Sequence, residues 1–397
     1  MESVSPDAIV ACSWALAPPA LLLAALNFPS LFYRNQLSRG STLVAIAASS
    51  ASVITGLKIE NPSVAFMTGL LECWIVIWAS VLLLRFNPPA DFARLRYTKA
   101  PRNLSEFEQD GKVWQRFPET ISLARLSWTA DLLISFRRAG WSFEHGPSGA
   151  EKKPEKSPKA RKEWPPVGVL PAVVKVLLDY LTIQGVNWTS PRLEHKIDSP
   201  QLLQALHVGT WILASIPFIN FCHSCWMVLG ELGQWLSPSD IYVSLDYNPS
   251  PWGPVGAVIE YGLAGLWGVT WHNYFKFGFQ SASDLVFPRS TNPKTKAILR
   301  LARVFWSFFL SGVIHFCGSY MLPGPTQPLK ELAFFLLQGV AVALQVSFFD
   351  RMVNQQWRRV LNPILVCAWL YFTGPLISED QRAGGMWSST ETVDAVQ

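Results

Sequence analysis

The stretch FFLSGVIHFCGSYML, Phe308 to Leu322, is largely apolar and holds one histidine, His315. No Asp, Glu, Lys or Arg occurs between Val304 and Leu322. In a water-soluble protein His315 would be a hydrogen-bonded interior imidazole. In a membrane span an ionisable group is costly to bury and becomes a functional candidate by default. The rest of the chain decides between the two.

Of the 397 residues, 50% are hydrophobic and only 15% are charged. Soluble globular chains carry about 25% charged residues. The deficit, together with 18 Trp and 24 Phe, points to a lipid solvent. Crossing the hydrocarbon core takes about 20 mostly apolar residues. The candidates are Ile9 to Tyr33, Ser41 to Leu57, Val64 to Leu84, Val167 to Ile183, Leu206 to Leu229, Val255 to Val269, Leu301 to Leu322, Leu332 to Phe349 and Leu361 to Leu376. The sequence therefore predicts an all-α, polytopic integral-membrane helical bundle of about seven to nine spans. Val255 to Val269 and Val167 to Ile183 are its weakest members. The first span has no basic residue before it and too long an apolar run for a signal peptide. It is read as a retained span that Pro18-Pro19 kinks.

Four regions follow: residues 1–84 as N-terminal transmembrane helices, 85–166 as a polar insertion, 167–379 as the membrane core and 380–397 as a disordered tail. The insertion holds 16 Lys and Arg against 10 Asp and Glu, which places it in the cytosol by the positive-inside bias. Its stretch Glu151 to Trp164 is basic and Pro-rich. Beside a membrane such a stretch is expected to meet anionic lipid rather than nucleic acid. Phe117 to Phe143 has apolar residues at helical spacing and reads as an amphipathic interfacial helix, with Trp128 and Trp141 as belt residues. The same orientation puts the loop Gln184 to Ala205 on the lumenal side. Its sequon Asn187-Trp188-Thr189 could there carry a glycan, whereas Asn103-Leu104-Ser105 would be cytosolic and unused.

The six cysteines all fall in apolar segments, so no disulfide framework is indicated. CHSC, Cys222 to Cys225, has the look of a metal motif, but a zinc site normally needs a second ligand pair. Helix packing is the favoured reading. Inside the spans four ionisable residues stand out: Glu72, Asp179, Glu260 and His315. Asp179 is expected to pair with Lys175, one turn earlier on its own face. An uncharged imidazole can accept a proton near neutrality and is cheaper to bury than a carboxylate. His315 facing a cavity would suit removal of a proton from a hydroxyl as it attacks a carbonyl. A second stretch, EYGLAGLWGVTWHNYFKFGF (Glu260 to Phe279), sets His272 and Asn273 among six aromatic residues. It reads as an aromatic belt or as a polar pair at a cavity near the membrane surface.

Together the two stretches resemble the membrane-bound O-acyltransferases, in their wax-synthase-like branch. SGVIHF is similar to the family's histidine-bearing span, and LWGVTWHNYFKFGF to its Phe-Trp-Gly-x-x-Trp-His block. RRAGWSF (Arg137 to Phe143) and SPWGPVG (Ser250 to Gly256) resemble weaker blocks before it. Here Leu266 replaces the usual Phe, and Val269-Thr270 stand where the family has a basic pair. In character the chain looks most like the fungal acetyltransferases of toxin and meroterpenoid pathways. The resemblance implies a multi-pass endoplasmic-reticulum enzyme that transfers an acetyl group from acetyl-CoA to a hydroxyl of a lipophilic terpenoid, without a metal. It implies His315 as general base, with His272 and Asn273 positioning the reacting groups. Trp271 and Lys276 would contact the acyl-CoA, which enters from the cytosol while the alcohol enters from the bilayer. The competing expectations are a long-chain wax or sterol ester synthase, a membrane terpene cyclase using Glu72 or Glu260, and a non-enzymatic transporter.

Overall fold

A computed structural model of the protein describes residues 14–97, 112–137, 141–142, 169–236, 250–287 and 291–387. Glu151 to Trp164 and the sequon at Asn103 lie outside the described residues. The main helices are α1 (Ala17–Asn27), α2 (Gln36–Gly56), α3 (Pro62–Arg85, ending in a π turn), α4 (Leu123–Ile134), α5 (Val169–Glu194) and α6 (Pro200–Leu236). They continue with α7 (Gly256–Gly265, followed by a π turn to Thr270), α8 (Lys276–Val286), α9 (Pro293–Met321), α10 (Pro328–Met352), α11 (Gln355–Thr373) and α12 (Pro375–Ala383).

Local chemistry sets several of the starts. Asparagine side chains at 35, 61, 292 and 354 accept hydrogen bonds from the first-turn amides of α2, α3, α9 and α11. At Asn61-Pro62 and Asn292-Pro293 a proline follows the cap, where its missing N–H costs nothing.

Among the described residues five helices are long and apolar enough to cross a membrane, α2, α3, α6, α9 and α10, and a sixth span results if the bent pair α11–α12 counts as one. The expected seven to nine are not reached by this measure, for local reasons. The first candidate breaks at Phe28-Pro29, leaving α1 only 11 residues long. Charged residues Lys175, Asp179, Arg192 and Glu194 dilute α5. The Val255 to Val269 candidate breaks at Gly262. The sequon at Asn187 sits inside α5, not in a loop, and Thr189 Oγ1 donates to the Gly185 carbonyl at 2.6 Å.

The centre of the bundle is α3 against α9 and α9 against α10. Small residues bring the backbones together, as membrane helices do when no water drives their association. A Cβ at Gly69 would lie 2.9 Å from the Gly318 Cα, and one at Gly318 would lie 2.9 Å from the Phe66 ring. Gly312 meets Leu332 in the same way. The two glycines that flank His315 thus serve packing.

Gly262, at φ +54°, breaks α7. Two amides from later helices satisfy the backbone freed there. Gln345 Oε1 accepts from Leu263 N at 2.9 Å and its Nε2 donates to the Tyr261 carbonyl at 2.8 Å. Asn362 Nδ2 donates to the Ile259 carbonyl at 3.0 Å. A broken helix is tolerated in lipid when neighbours supply such partners.

The all-α expectation needs one amendment. An antiparallel three-stranded sheet, order β2-β1-β3, joins β1 (Ala93–Tyr97), β2 (Lys112–Gln115) and β3 (Trp141–Ser142), with Arg94 opposite both Gln115 and Trp141. It docks on α4 through the buried pair Arg94–Asp131 at 3.4 Å. Trp128 and Trp141 are buried here, at 0% and 4% exposure, and not in a membrane belt. Their indole N–H groups find partners inside the protein: the Gln115 carbonyl for Trp128 and the Ser135 hydroxyl for Trp141. Helical spacing predicts a helix over Phe117 to Phe143; only Leu123–Ile134 is helical, and Trp141 belongs to β3. Which face α4 would turn inward depended on the sheet.

The expected tail from residue 380 is corrected as well. Helix α12 runs to Ala383, the described chain continues to Trp387, and Asp380, Gln381 and Trp387 are buried. Arg382 Nη2 reaches both Glu194 oxygens, at 2.7 and 2.8 Å, and ties this end to α5.

Candidate active site

A cavity of about 600 Å³ opens between α3, α6, α9, α10 and the loop that follows α7. Its wall is mostly apolar and rich in aromatic side chains, and carries three imidazoles, those of His223, His272 and His315.

His315 projects from α9, with the Phe335 ring of α10 tilted by 37° at 4.2 Å between centroids and the Phe66 ring edge-on at 6.2 Å. Its Nδ1 lies 2.7 Å from the Ser311 carbonyl oxygen, one turn back on the same helix. A carbonyl can only accept, so Nδ1 must carry the proton. In the neutral ring the lone pair is then on Nε2. The helix itself therefore selects the tautomer a base requires.

His272 and Trp271 stand in the loop between the π turn of α7 and α8, and both line the cavity. Two backbone bonds hold this loop against the stretch Ser250 to Gly256: Gly253 N to the Thr270 carbonyl at 3.0 Å and Asn273 N to the Pro251 carbonyl at 3.1 Å. Trp252 packs edge-on against Trp271 at 5.2 Å. Trp267, on the π turn, donates to Gln338 Oε1 at 3.3 Å; Gln338 is wholly buried, takes a second indole from Trp369 and donates to Thr373. The block is thus set by neighbours in chain and in space.

His272 Nδ1 is buried without a hydrogen bond. Burial, and secondarily the charges of His315 and Arg137, push its pKa down from 6.5 to about 3. Folded His272 stays neutral where the unfolded chain would take up a proton, so between about pH 6.5 and 3 acidification favours unfolding. The melting temperature of the detergent-solubilised protein is expected to fall across that window. His272→Gln should show a shallower fall; an identical slope would mean that His272 does not contribute.

The expected site residues divide. His315, His272 and Trp271 meet at the cavity. Asn273 and Lys276 are not part of its wall. Asn273 is engaged through its backbone, and Lys276 Nζ donates to the Gly268 carbonyl at 2.7 Å, closing the π turn. Glu72 lines the cavity, whereas Glu260 pairs with Arg359 at 2.8 Å. Asp179 pairs with Lys175 at 2.6 Å, as its spacing implies.

Three cavity residues escaped the sequence reading. His223, in the CHSC stretch, lies 2.6 Å from Tyr274 Oη through its Nδ1, and both line the cavity. A histidine in an uncharged span was the same signal that singled out His315; the flanking cysteines diverted it. Arg137 sits over the Tyr274 ring at 5.5 Å and donates to the Ser250 carbonyl at 3.0 Å, which joins RRAGWSF to SPWGPVG.

Residues 250–337 match the family model of the membrane bound O-acyl transferase family. This is the part of the chain that holds both the Trp-His block and the His315 span, so the resemblance drawn from them is borne out. The chain is 25% identical over 287 residues to an O-mevalon transferase of Penicillium terrestre, covering 67% of this chain and 63% of the relative. It is 22% identical over 295 residues to an acetyltransferase of Aspergillus fumigatus, covering 65% of each. It is 25% identical over 384 residues to an O-mevalon transferase of Aspergillus niger, covering 88% of this chain and 81% of the relative. The matched part spans less than two thirds of the first two relatives. No solved structure matches the chain.

Proposed function

We propose, from this likeness to the membrane-bound O-acyltransferases, that the protein transfers an acetyl group from acetyl-CoA to a hydroxyl of a lipophilic secondary metabolite. The observation that carries the reading is the Ser311 carbonyl at 2.7 Å from His315 Nδ1, in the wall of an aromatic cavity. His315 Nε2 takes the hydroxyl proton as the alcohol oxygen attacks the thioester carbon. The tetrahedral oxyanion is met by an N–H of neutral His272, which stands on the same wall. The carbon–sulfur bond then breaks. The thiolate leaves with the proton from the imidazolium, giving the ester and coenzyme A. No acyl-enzyme is needed, because the thioester is already activated.

The aromatic wall suits a lipophilic acceptor arriving from the bilayer. Arg137 reaches the cavity from the basic segment 85–166 and gives the donor's anionic end a cation on the cytosolic side. The test uses microsomes containing the protein, labelled acetyl-CoA or palmitoyl-CoA, and a panel of terpenoid alcohols. Acetyl ester is the expected product. Palmitoyl ester in its place would make the protein a wax or sterol ester synthase, and no ester from either donor would overturn acyl transfer.

A second reading, a terpene cyclase, draws on Glu72, which is a carboxyl in an aromatic cavity. It expects Glu72→Gln to abolish product and His315→Ala to be mild, the reverse of the acyltransferase expectation.

A further inference from the structure

Glu72 lies near the middle of α3, 4% exposed, in the wall of the same cavity as His315. Most polar neighbours on that wall have partners inside the protein. His223 meets Tyr274, Asp131 meets Arg94, Gln381 accepts from Trp387, and Thr68 donates to the Val64 carbonyl. Glu72 Oε2 has no hydrogen bond. Ser50 of α2 stands beside the carboxyl as its one hydroxyl neighbour among the described residues, and it is equally buried.

Burying a carboxyl at membrane depth without a full set of partners is expensive. A leucine there would pack as well and cost less. The cost is offset if a group outside the chain completes the carboxyl's hydrogen bonds. Glu72 and His315 belong to helices in close contact: a Cβ at Gly69, one turn before Glu72, would meet the Cys317–Gly318 backbone, one turn after His315. One molecule in the cavity can therefore present a group to each.

We propose that Glu72 is a second anchor for the acceptor, and that the acceptor is a diol or polyol: one hydroxyl at His315 for acylation, another held by the Glu72 carboxyl. This rests on the acyl-transfer reading. A hydroxyl is the group that fits best, because it both donates and accepts and so answers the carboxyl in either protonation state. A purely hydrocarbon acceptor with one hydroxyl leaves Glu72 with Ser50 alone and is discriminated against. Glu72 is thus a specificity-determining residue, not a base.

The test compares 1,10-decanediol with 1-decanol on the purified full chain. Binding is read by tryptophan fluorescence, since Trp74, Trp211, Trp267 and Trp271 line the cavity. Labelled acetyl-CoA gives ester formation in parallel. The wild type should prefer the diol by about tenfold or more, in binding and in kcat/KM. Glu72→Gln should keep a preference, because the amide still offers hydrogen bonds. Glu72→Leu, and Glu72→Met should the leucine variant not fold, should abolish or invert it.

Esters formed from both alcohols with a ratio unaffected by Glu72→Leu would overturn the inference and leave acyl transfer standing. A Glu72-dependent binding preference with no ester from either alcohol would do the opposite. No diol preference in the wild type also sinks the inference.

Discussion

His315→Ala is expected to lower acyl-transfer turnover by about 10²–10⁴-fold, the usual contribution of a positioned general base. The protein should still insert and purify as the wild type does. The side chain gives up one hydrogen bond to the Ser311 carbonyl and its ring contact with Phe335, and it leaves an enlarged cavity rather than a collapsed helix. KM for the acyl donor should change little, because the imidazole acts on the acceptor's proton. Measuring ester formation alongside size-exclusion behaviour separates chemistry from folding. A variant that keeps most of its turnover would remove His315 from the mechanism.

Gly69→Val should be strongly damaging although it lies away from the imidazoles. The obstacle at that position is the backbone at Cys317 and Gly318, not the end of a flexible side chain, so nothing nearby can swing aside. Overpacking of this kind typically costs about 1–3 kcal/mol and occasionally more. With helix main chain as the neighbour, the upper end is expected. The wedge would also drive α3 from α9 and carry Glu72 away from His315, so activity should fall with stability. Gly40→Ala is the control: a Cβ at Gly40 meets nothing within 4 Å. A helical Gly→Ala change of that kind gains up to about 1 kcal/mol. Equal melting temperatures for Gly69→Val and the wild type would refute the close helix contact.

Much of this was legible before any coordinates. The charge deficit and the apolar runs gave a helical membrane protein, and the histidine in SGVIHF together with the Trp-His block gave the two halves of the candidate site. What could not be read was set by contacts distant in sequence. Trp128 looked like a belt residue because nothing local shows that β1 and β2 will cover it. Residues 380–387 looked like a polar tail, since Glu194, Arg382's partner, lies 188 residues away. His223 looked like packing because its relation to Tyr274 spans 51 residues. Gln338, with no charge to mark it, gave no signal that it would hold Trp267 and so orient the cavity wall.

The gap in α7 also dictates an order of assembly. On the ribosome the segment around Gly262 is made before residues 345 and 362. Until then the free groups of Ile259, Tyr261 and Leu263 have nothing to bond with but each other or stray water. The Trp-His loop that hangs from this joint cannot settle until α10 and α11 arrive. A nascent chain halted before Gln345 would therefore hold every residue of the loop, and the His315 helix too, yet lack the shape in which they work together.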